Sequence, residues 1–166
     1  MALTKLGVGS FPAGTVIQTV NKSFTDKTEI TATSYSSITN ASLAITPKFS
    51  NSLIKITASI CCEIVDTNTT FANAGLQFKR GSTVISQNPT DGTGPFELGG
   101  NITGLSGGPE FNMRPCYIII DTPSTTSATT YSVEAIVYHT SGGKIIINHG
   151  TSTTGQSSIV LEEIRQ

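Results

Sequence analysis

Few side chains in this sequence are of the types that carry chemistry. His139 and His149 are its only histidines. They flank a predicted hairpin, so a shared site is geometrically open to them, but no His-x-His or His-Glu-x-x-His spacing supplies a metal. Glu63, Asp66 and Glu134 are candidate carboxylates only by lying near predicted strands. A glycosidase needs two such groups facing each other across a substrate, and a solvated strand face explains these equally well. The cysteines, Cys61, Cys62 and Cys116, are odd in number and lack a Cys-x-x-Cys pair. Adjacent strand residues point to opposite faces, so Cys61 and Cys62 do not bridge each other, and all three read as buried free thiols. The glycine-rich stretch 99–108 has no Lys-Ser/Thr pair after its last glycine and no helix to present an anion site, which argues against a nucleotide cradle. No enzyme, cofactor or metal is expected.

The elements that position these residues are strands. From Leu53 to Val65 the even positions Ile54, Ile56, Ala58, Ile60, Cys62 and Ile64 are apolar, while Lys55, Thr57, Ser59 and Glu63 alternate with them. That is one long strand with a core face and a wet face. The alternation returns at Ala72–Phe78 and Tyr131–Val137. Shorter runs lie at Val16–Val20, Leu43–Ile45, Lys144–Asn148 and Ile159–Ile164, with weaker ones at Thr28–Ala32 and Thr83–Ser86. No apolar pattern of helical period is sustained, and β-branched residues are abundant. The link Ser141-Gly142-Gly143 predicts that Tyr131–Tyr138 and Lys144–Asn148 form a hairpin. The expectation is an all-β antiparallel sandwich of the jelly-roll kind, with about 8–10 strands and little or no helix.

Composition narrows the partners. The chain has 166 residues, 10 basic and 11 acidic, for a net charge of −1. No basic excess exists to neutralise a phosphate backbone, so no nucleic-acid partner is expected. Counting 26 Thr and 19 Ser, 27% of residues carry an aliphatic hydroxyl. No apolar run approaches the roughly 20 residues of a membrane span, and residues 1–10 contain no signal-peptide core. No membrane insertion is expected, and synthesis in the cytosol is. The four Asn-x-Ser/Thr sequons, at Asn21, Asn40, Asn68 and Asn101, are about what this composition produces by chance.

Two segments stand out, an arm ahead of the β-domain of 15–166 and a long glycine- and proline-rich loop within that domain. The arm 1–14, with Leu3, Leu6, Val8 and Phe11, is a candidate docking segment. The stretch 88–115 holds seven of sixteen glycines and four of seven prolines. A connection this long tends to be functional. Phe96, Leu98, Asn101, Ile102, Leu105, Phe111, Met113 and Arg114 form its candidate contact set, with a short strand expected near Leu98–Ile102.

The order of several segments resembles a known pattern. The opening Phe-Pro-Ala-Gly-Thr-Val-Ile-Gln-Thr-Val (Phe11–Val20) is followed by Thr33-Ser34-Tyr35, Ala41–Pro47 and Asn51–Ile56. Leu76–Thr83, Ile120–Tyr131 and Ser158–Ile164 come later. Over about residues 11–164 the chain resembles the small jelly-roll-like β-domain of virion structural proteins from tailed bacteriophages, marine and cyanobacterial ones especially. The resemblance implies a homotrimer on a tail fibre, spike or capsid decoration. It also implies contacts to other virion proteins and, at a host surface, to a glycan or protein. It transfers no catalytic residue. The expected function is therefore a non-enzymatic virion surface subunit, tail-fibre or spike-like. A capsid decoration protein at capsomer symmetry axes comes second, and a free carbohydrate-binding module third.

Overall fold

A computed structural model of the chain describes residues 7, 10–65, 71–86, 96–101, 110–138, 143–149 and 155–166. For 71, 72, 96, 97, 99–101 and 110 it describes the backbone alone. Among the described residues there is no α-helix, and every strand pairing is antiparallel. The first seven strands are β1 (Val16–Phe24), β2 (Thr28–Ile30), β3 (Ser36–Ile45), β4 (Leu53–Ser59), β5 (Cys62–Val65), β6 (Phe71–Arg80) and β7 (Thr83–Val84). The other six are β8 (Phe96–Asn101), β9 (Glu110–Met113), β10 (Cys116–Asp121), β11 (Thr129–Val137), β12 (Lys144–Ile147) and β13 (Ser157–Ile164).

Three ladders result, with orders β1-β13-β4-β10, β2-β12-β5-β9 and β3-β11-β6-β7, the last extended by β8 on β6. The first two contain the same four chain segments in the same order, since β1 runs into β2, β12 into β13, β4 into β5 and β9 into β10. They are two halves of one long sheet, interrupted along a single line through 25–27, 60–61, 114–115 and, among the described residues between β12 and β13, 148, 149, 155 and 156. Backbone bonds cross that line: Ile60 N–H donates to Pro115 O (3.0 Å) and Asn148 N–H to Cys61 O (2.8 Å).

Joining these pairs, and setting aside the two-residue β7, leaves eight through-strands. Numbered along the chain, they lie in the orders 1-8-3-6 and 2-7-4-5. This is a jelly roll, two four-stranded sheets face to face with Greek-key connections.

The sequence periodicity placed the core correctly. Ile54, Ile56, Ala58, Ile60, Cys62 and Ile64 are all buried, so the inward phase survives the interruption at Ile60-Cys61. They meet Ala74, Leu76 and Phe78 of β6 and Tyr131, Val133, Ala135 and Val137 of β11 in one cluster. Burying each large aliphatic is worth about 1.5–3 kcal/mol, so this cluster is the main favourable term. In β3 the inward phase moves from Ile38 to Ala41. The β3–β11 register slips between Ser132 and Glu134, and Asn40 adopts a positive φ of 61°. This is a β-bulge, and Thr28 Oγ1 accepts a hydrogen bond from the Thr39 N–H within it (3.0 Å).

Three expectations need correction. The predicted hairpin does not form, because β11 pairs with β3 and β6 while β12 pairs with β2 and β5. The two strands therefore lie in different layers. The stretch 88–115 carries the strand expected near Leu98–Ile102, as β8, but also an unexpected one, β9, so it is not a single connection. Finally, Cys62 is buried, but Cys61 is only partly so and Cys116 is exposed.

Candidate functional site

Position along β10 decides which side chains reach solvent. Its five apolar residues, Cys116 to Ile120, include two faces. Tyr117 and Ile119 turn inward, and Tyr117 meets the Phe78 ring edge-on with centroids 5.9 Å apart. Cys116, Ile118 and Ile120 turn outward, the two isoleucines being 63% and 52% exposed. Among the described large hydrophobics only Val16 joins them in the exposed class. Within its ladder β10 is a terminal strand among the described residues. The neighbouring outward residues on β4 are Ser59, Thr57 and Lys55, and Lys55 is tied to Glu162 at 2.8 Å. A three-residue apolar row therefore stands at the margin of a hydroxyl-rich face.

The interruption in the long sheet is the second polar locus. Asn148, buried and at a positive φ of 55°, donates through Nδ2 to Phe24 O (3.2 Å) and Asp26 O (3.1 Å). Its Oδ1 accepts from Ser157 Oγ (2.7 Å), which itself accepts from Cys61 N–H (2.9 Å). These bonds satisfy backbone groups that the ladder leaves open between β1 and β2 and between β4 and β5. Gly155 packs directly against Asn148. A Cβ there would stand 2.6 Å from the Asn148 backbone. Beside it, His149 Nδ1 lies 2.9 Å from Glu63 Oε2. Burial, with Cys61 close by, pushes the Cys62 thiol up to about 12, so it is protonated and inert near neutrality.

Two inward carboxylates lie at the far end of the same sheet, where Glu163 and Asp121 both pair across to Ile54. Glu163 is fully buried. Its Oε1 accepts from the backbone N–H of Lys48 (2.7 Å) and Phe49 (3.2 Å) and from Ser52 Oγ (2.7 Å). The Gln18 amide, oriented to satisfy both of its ends, donates to Oε2 at 3.3 Å. Asp121 instead receives Arg80 Nη1 at 2.8 and 2.9 Å and the Tyr131 hydroxyl at 2.7 Å. Burial first, then that bond to a carboxylate, holds the Tyr131 hydroxyl protonated well beyond the usual tyrosine range.

The chemistry-bearing residues of the sequence are scattered by this fold. Glu63 is engaged with His149 on the long sheet, and Glu134 with Gln77 Nε2 (2.5 Å) and Lys79 Nζ (3.1 Å) on the other. Asp66 and His139 lie outside the described residues. Of the contact set, Leu98 is in the core, and Phe111 and Met113 pack against it. The two alternate residues of β9 turn inward with its register to β5, so these three side chains leave the outward surface. Arg114 is exposed at the interruption, Phe96 and Asn101 are described by backbone alone, and Ile102 and Leu105 lie outside the described residues. In the arm, Phe11 is half-buried, while Leu3, Leu6 and Val8 lie outside.

Sequence reading missed both end carboxylates. Glu163 had a signal, an acid in the inward phase Ile159-x-Leu161-x-Glu163. Asp121 had none, because the unbroken apolar run before it hides the phase.

No family model matches the chain, and no curated protein does. Among solved structures, dimeric latent PorU from Porphyromonas gingivalis aligns over 98% of this chain and 14% of its own, at 10% identity and TM-score 0.35. The T=1 particle derived from infectious bursal virus aligns over 99% of this chain and 41% of its own, at 13% identity and TM-score 0.31. This chain thus spans well under half of either neighbour, and the second is a weak structural similarity to a viral capsid protein.

Proposed function

We propose that this protein is a non-enzymatic structural subunit of a tailed-bacteriophage virion, a fibre-like or spike-like surface component that contributes to attachment or assembly as a homotrimer. One observation carries the reading: the ordered segments that resemble the phage domain fall on the strands of a jelly roll. Val16–Val20 lies in β1, Ala41–Ile45 in β3, Leu53–Ile56 in β4, Leu76–Arg80 in β6 and Ser158–Ile164 in β13. The pattern therefore follows the order in which a jelly roll is threaded. Jelly rolls also occur in lectins and cupins, so the fold supports the reading only together with that resemblance. Two of the acids weighed for catalysis, Glu63 and Glu134, are engaged by neighbouring side chains. Other virion proteins are the proposed partners.

Immunogold electron microscopy of intact particles, with antibody raised against the recombinant chain, tests this. Gold confined to tails or fibres is the expected result. Gold spread over heads would make the chain a capsid decoration protein. Bare particles, with an antibody that binds the purified protein, would overturn the virion reading.

A further inference from the structure

Two tyrosines meet on the outward face of the sheet formed by β3, β11 and β6. Tyr35 directly precedes β3, where Ser36 pairs with Ala135, and Tyr138 directly follows β11. Backbone bonds hold both ends in place: Val137 N–H donates to Ala32 O (3.0 Å), and Tyr138 N–H to Asn73 O (3.1 Å). Ala74, Leu76 and Val137 fill the core, so the alternate residues Gly75 and Tyr138 face outward. The Tyr138 ring reaches over β6 because Gly75 leaves room for it. A Cβ at Gly75 would overlap the Tyr138 hydroxyl and stand 3.0 Å from its Cζ. Both hydroxyl oxygens, of Tyr35 and of Tyr138, are shut off from solvent, although each residue is only partly buried. They face each other without hydrogen-bond geometry, and no other group among the described residues takes up either one. Burial first, then the neighbouring Tyr138 hydroxyl, holds the Tyr35 hydroxyl protonated well beyond the usual tyrosine range. The chain's other two tyrosines are engaged differently, Tyr131 with Asp121 (2.7 Å) and Tyr117 edge-on with Phe78. Native folds seldom leave buried hydroxyls unpaired, and redox chemistry is one of the roles that account for those they do.

We propose that Tyr35 and Tyr138 form an oxidative modification site, at which a peroxide-driven one-electron oxidant couples the two rings into a dityrosine. Each phenol gives up one electron and its hydroxyl proton, and the two phenoxyl radicals join through a carbon ortho to each oxygen. The hydrogen on each joined carbon then moves to the oxygen of its own ring, which restores both phenols. The peroxide accepts the two electrons and two protons and leaves as two waters. The coupling carbons adjoin the hydroxyl-bearing carbon, so rings that meet tip to tip present them to each other. The product ties the lead into β3 to the end of β11. A covalent link between residues so far apart in sequence stabilises the fold chiefly by restricting the unfolded chain. The inference does not depend on the virion reading, and its test is separate from particle labelling.

Oxidation of the full-length chain with hydrogen peroxide and a peroxidase, followed by dityrosine fluorescence and peptide mapping, tests this. The expected product is a cross-linked peptide pair that joins residue 35 to residue 138 within one chain, lighter than its parts by two hydrogens. The oxidised chain should also unfold at a higher temperature than the untreated one. Tyr35→Phe and Tyr138→Phe should each abolish the product, whereas Tyr117→Phe should retain it. Both pair variants remove one unbonded hydroxyl and add no atom, so they keep the fold, which circular dichroism checks. Gly75→Ala, which drives the Tyr138 ring off β6, should lower the yield in a chain that is still folded by the same measure. Absence of the 35–138 peptide pair, or tyrosine cross-links found only between chains, would overturn the inference. So would an equal yield from the chain oxidised in denaturant, because the fold would then not be what brings the rings together.

Discussion

Glu163 and Asp121 face the same residue, Ile54, from opposite sides of one strand, yet the fold satisfies them by different means. Glu163 is held by neutral donors, two of them backbone N–H groups of the 46–52 connection between β3 and β4. It organises a loop of its own sheet's surroundings. Asp121 is held by Arg80 of β6 and Tyr131 of β11, both in the opposite layer. It fastens one layer to the other. The lesson is that a buried carboxylate does different structural work according to whether its donors are local backbone or distant side chains. Removing the first should loosen a connection, and removing the second should loosen the sandwich.

The largest effect is expected at Glu163. Glu163→Ala leaves the donors of Lys48, Phe49 and Ser52 without their shared acceptor, and should cost about 3–5 kcal/mol in a denaturant titration. A loss below roughly 1 kcal/mol would mean that water replaces the carboxylate without penalty, and the contrast with Asp121 would collapse. Asp121→Asn should cost about 2–3 kcal/mol. A double-mutant cycle with Arg80→Met should return a coupling of about 1–3 kcal/mol, because the pair is only partly open to solvent. Zero coupling would reduce the layer fastening to the tyrosine bond alone.

The interruption of the long sheet offers a third arrangement, in which no carboxylate takes part in the Asn148–Ser157 bonds. Gly155→Ala places a methyl group against the Asn148 backbone, which cannot rotate away as a side chain would. A loss of about 1–3 kcal/mol is expected by thermal unfolding, and an unchanged midpoint would show that Gly155 is not closely packed against Asn148.

The smallest effect sharpens the pair through a proton. Tyr131 ionises at 10.0 when unperturbed and well above that in the fold. Below about pH 10 the folded and unfolded forms bind this proton equally. Above it the unfolded chain releases the proton while the fold retains it, so stability falls as pH rises, by up to about 1.4 kcal/mol per pH unit for each such group. Tyr117, pushed up to about 12 chiefly by burial, acts in the same direction. Tyr131→Phe should reduce the alkaline slope by about half a proton at pH 10, rising to about nine-tenths at pH 11, as read from denaturation curves, whereas Glu163→Ala should leave it unchanged.

How much of this was legible beforehand follows from what alternation encodes. Period two distinguishes the faces of a strand, so the buried row from Ile54 to Ile64 and the inward residues of β6 and β11 were readable directly. It carries no information about which strand lies beside which. The crossing from β11 to β12 therefore read as a hairpin, and a one-residue pattern could not reveal the interruption at Ile60-Cys61, whose phase is preserved. In β10 five apolar residues in succession erase the phase altogether. Cys116 then read as buried, although it faces outward together with Ile118. The contact set at 88–115 was drawn from glycine and proline density, which marks breaks in pairing. It gave no warning that Phe111 and Met113 alternate inward on a short strand.

The pairing of β1 with β13 also sets a schedule. β13 occupies an interior place in its ladder, between β1 and β4, yet it is the last strand to be made. At roughly 5–20 residues per second, the first strand leaves the ribosome on the order of ten seconds before its neighbour exists. Until then the ladder has a gap in its middle: β4 can pair with β10, and β3, β6, β8 and β11 can form their layer, but β1 has no neighbour in its ladder. The jelly roll is therefore completed after synthesis of its final strand, and a stop codon before Ser157 removes the keystone of a sheet rather than trimming its margin.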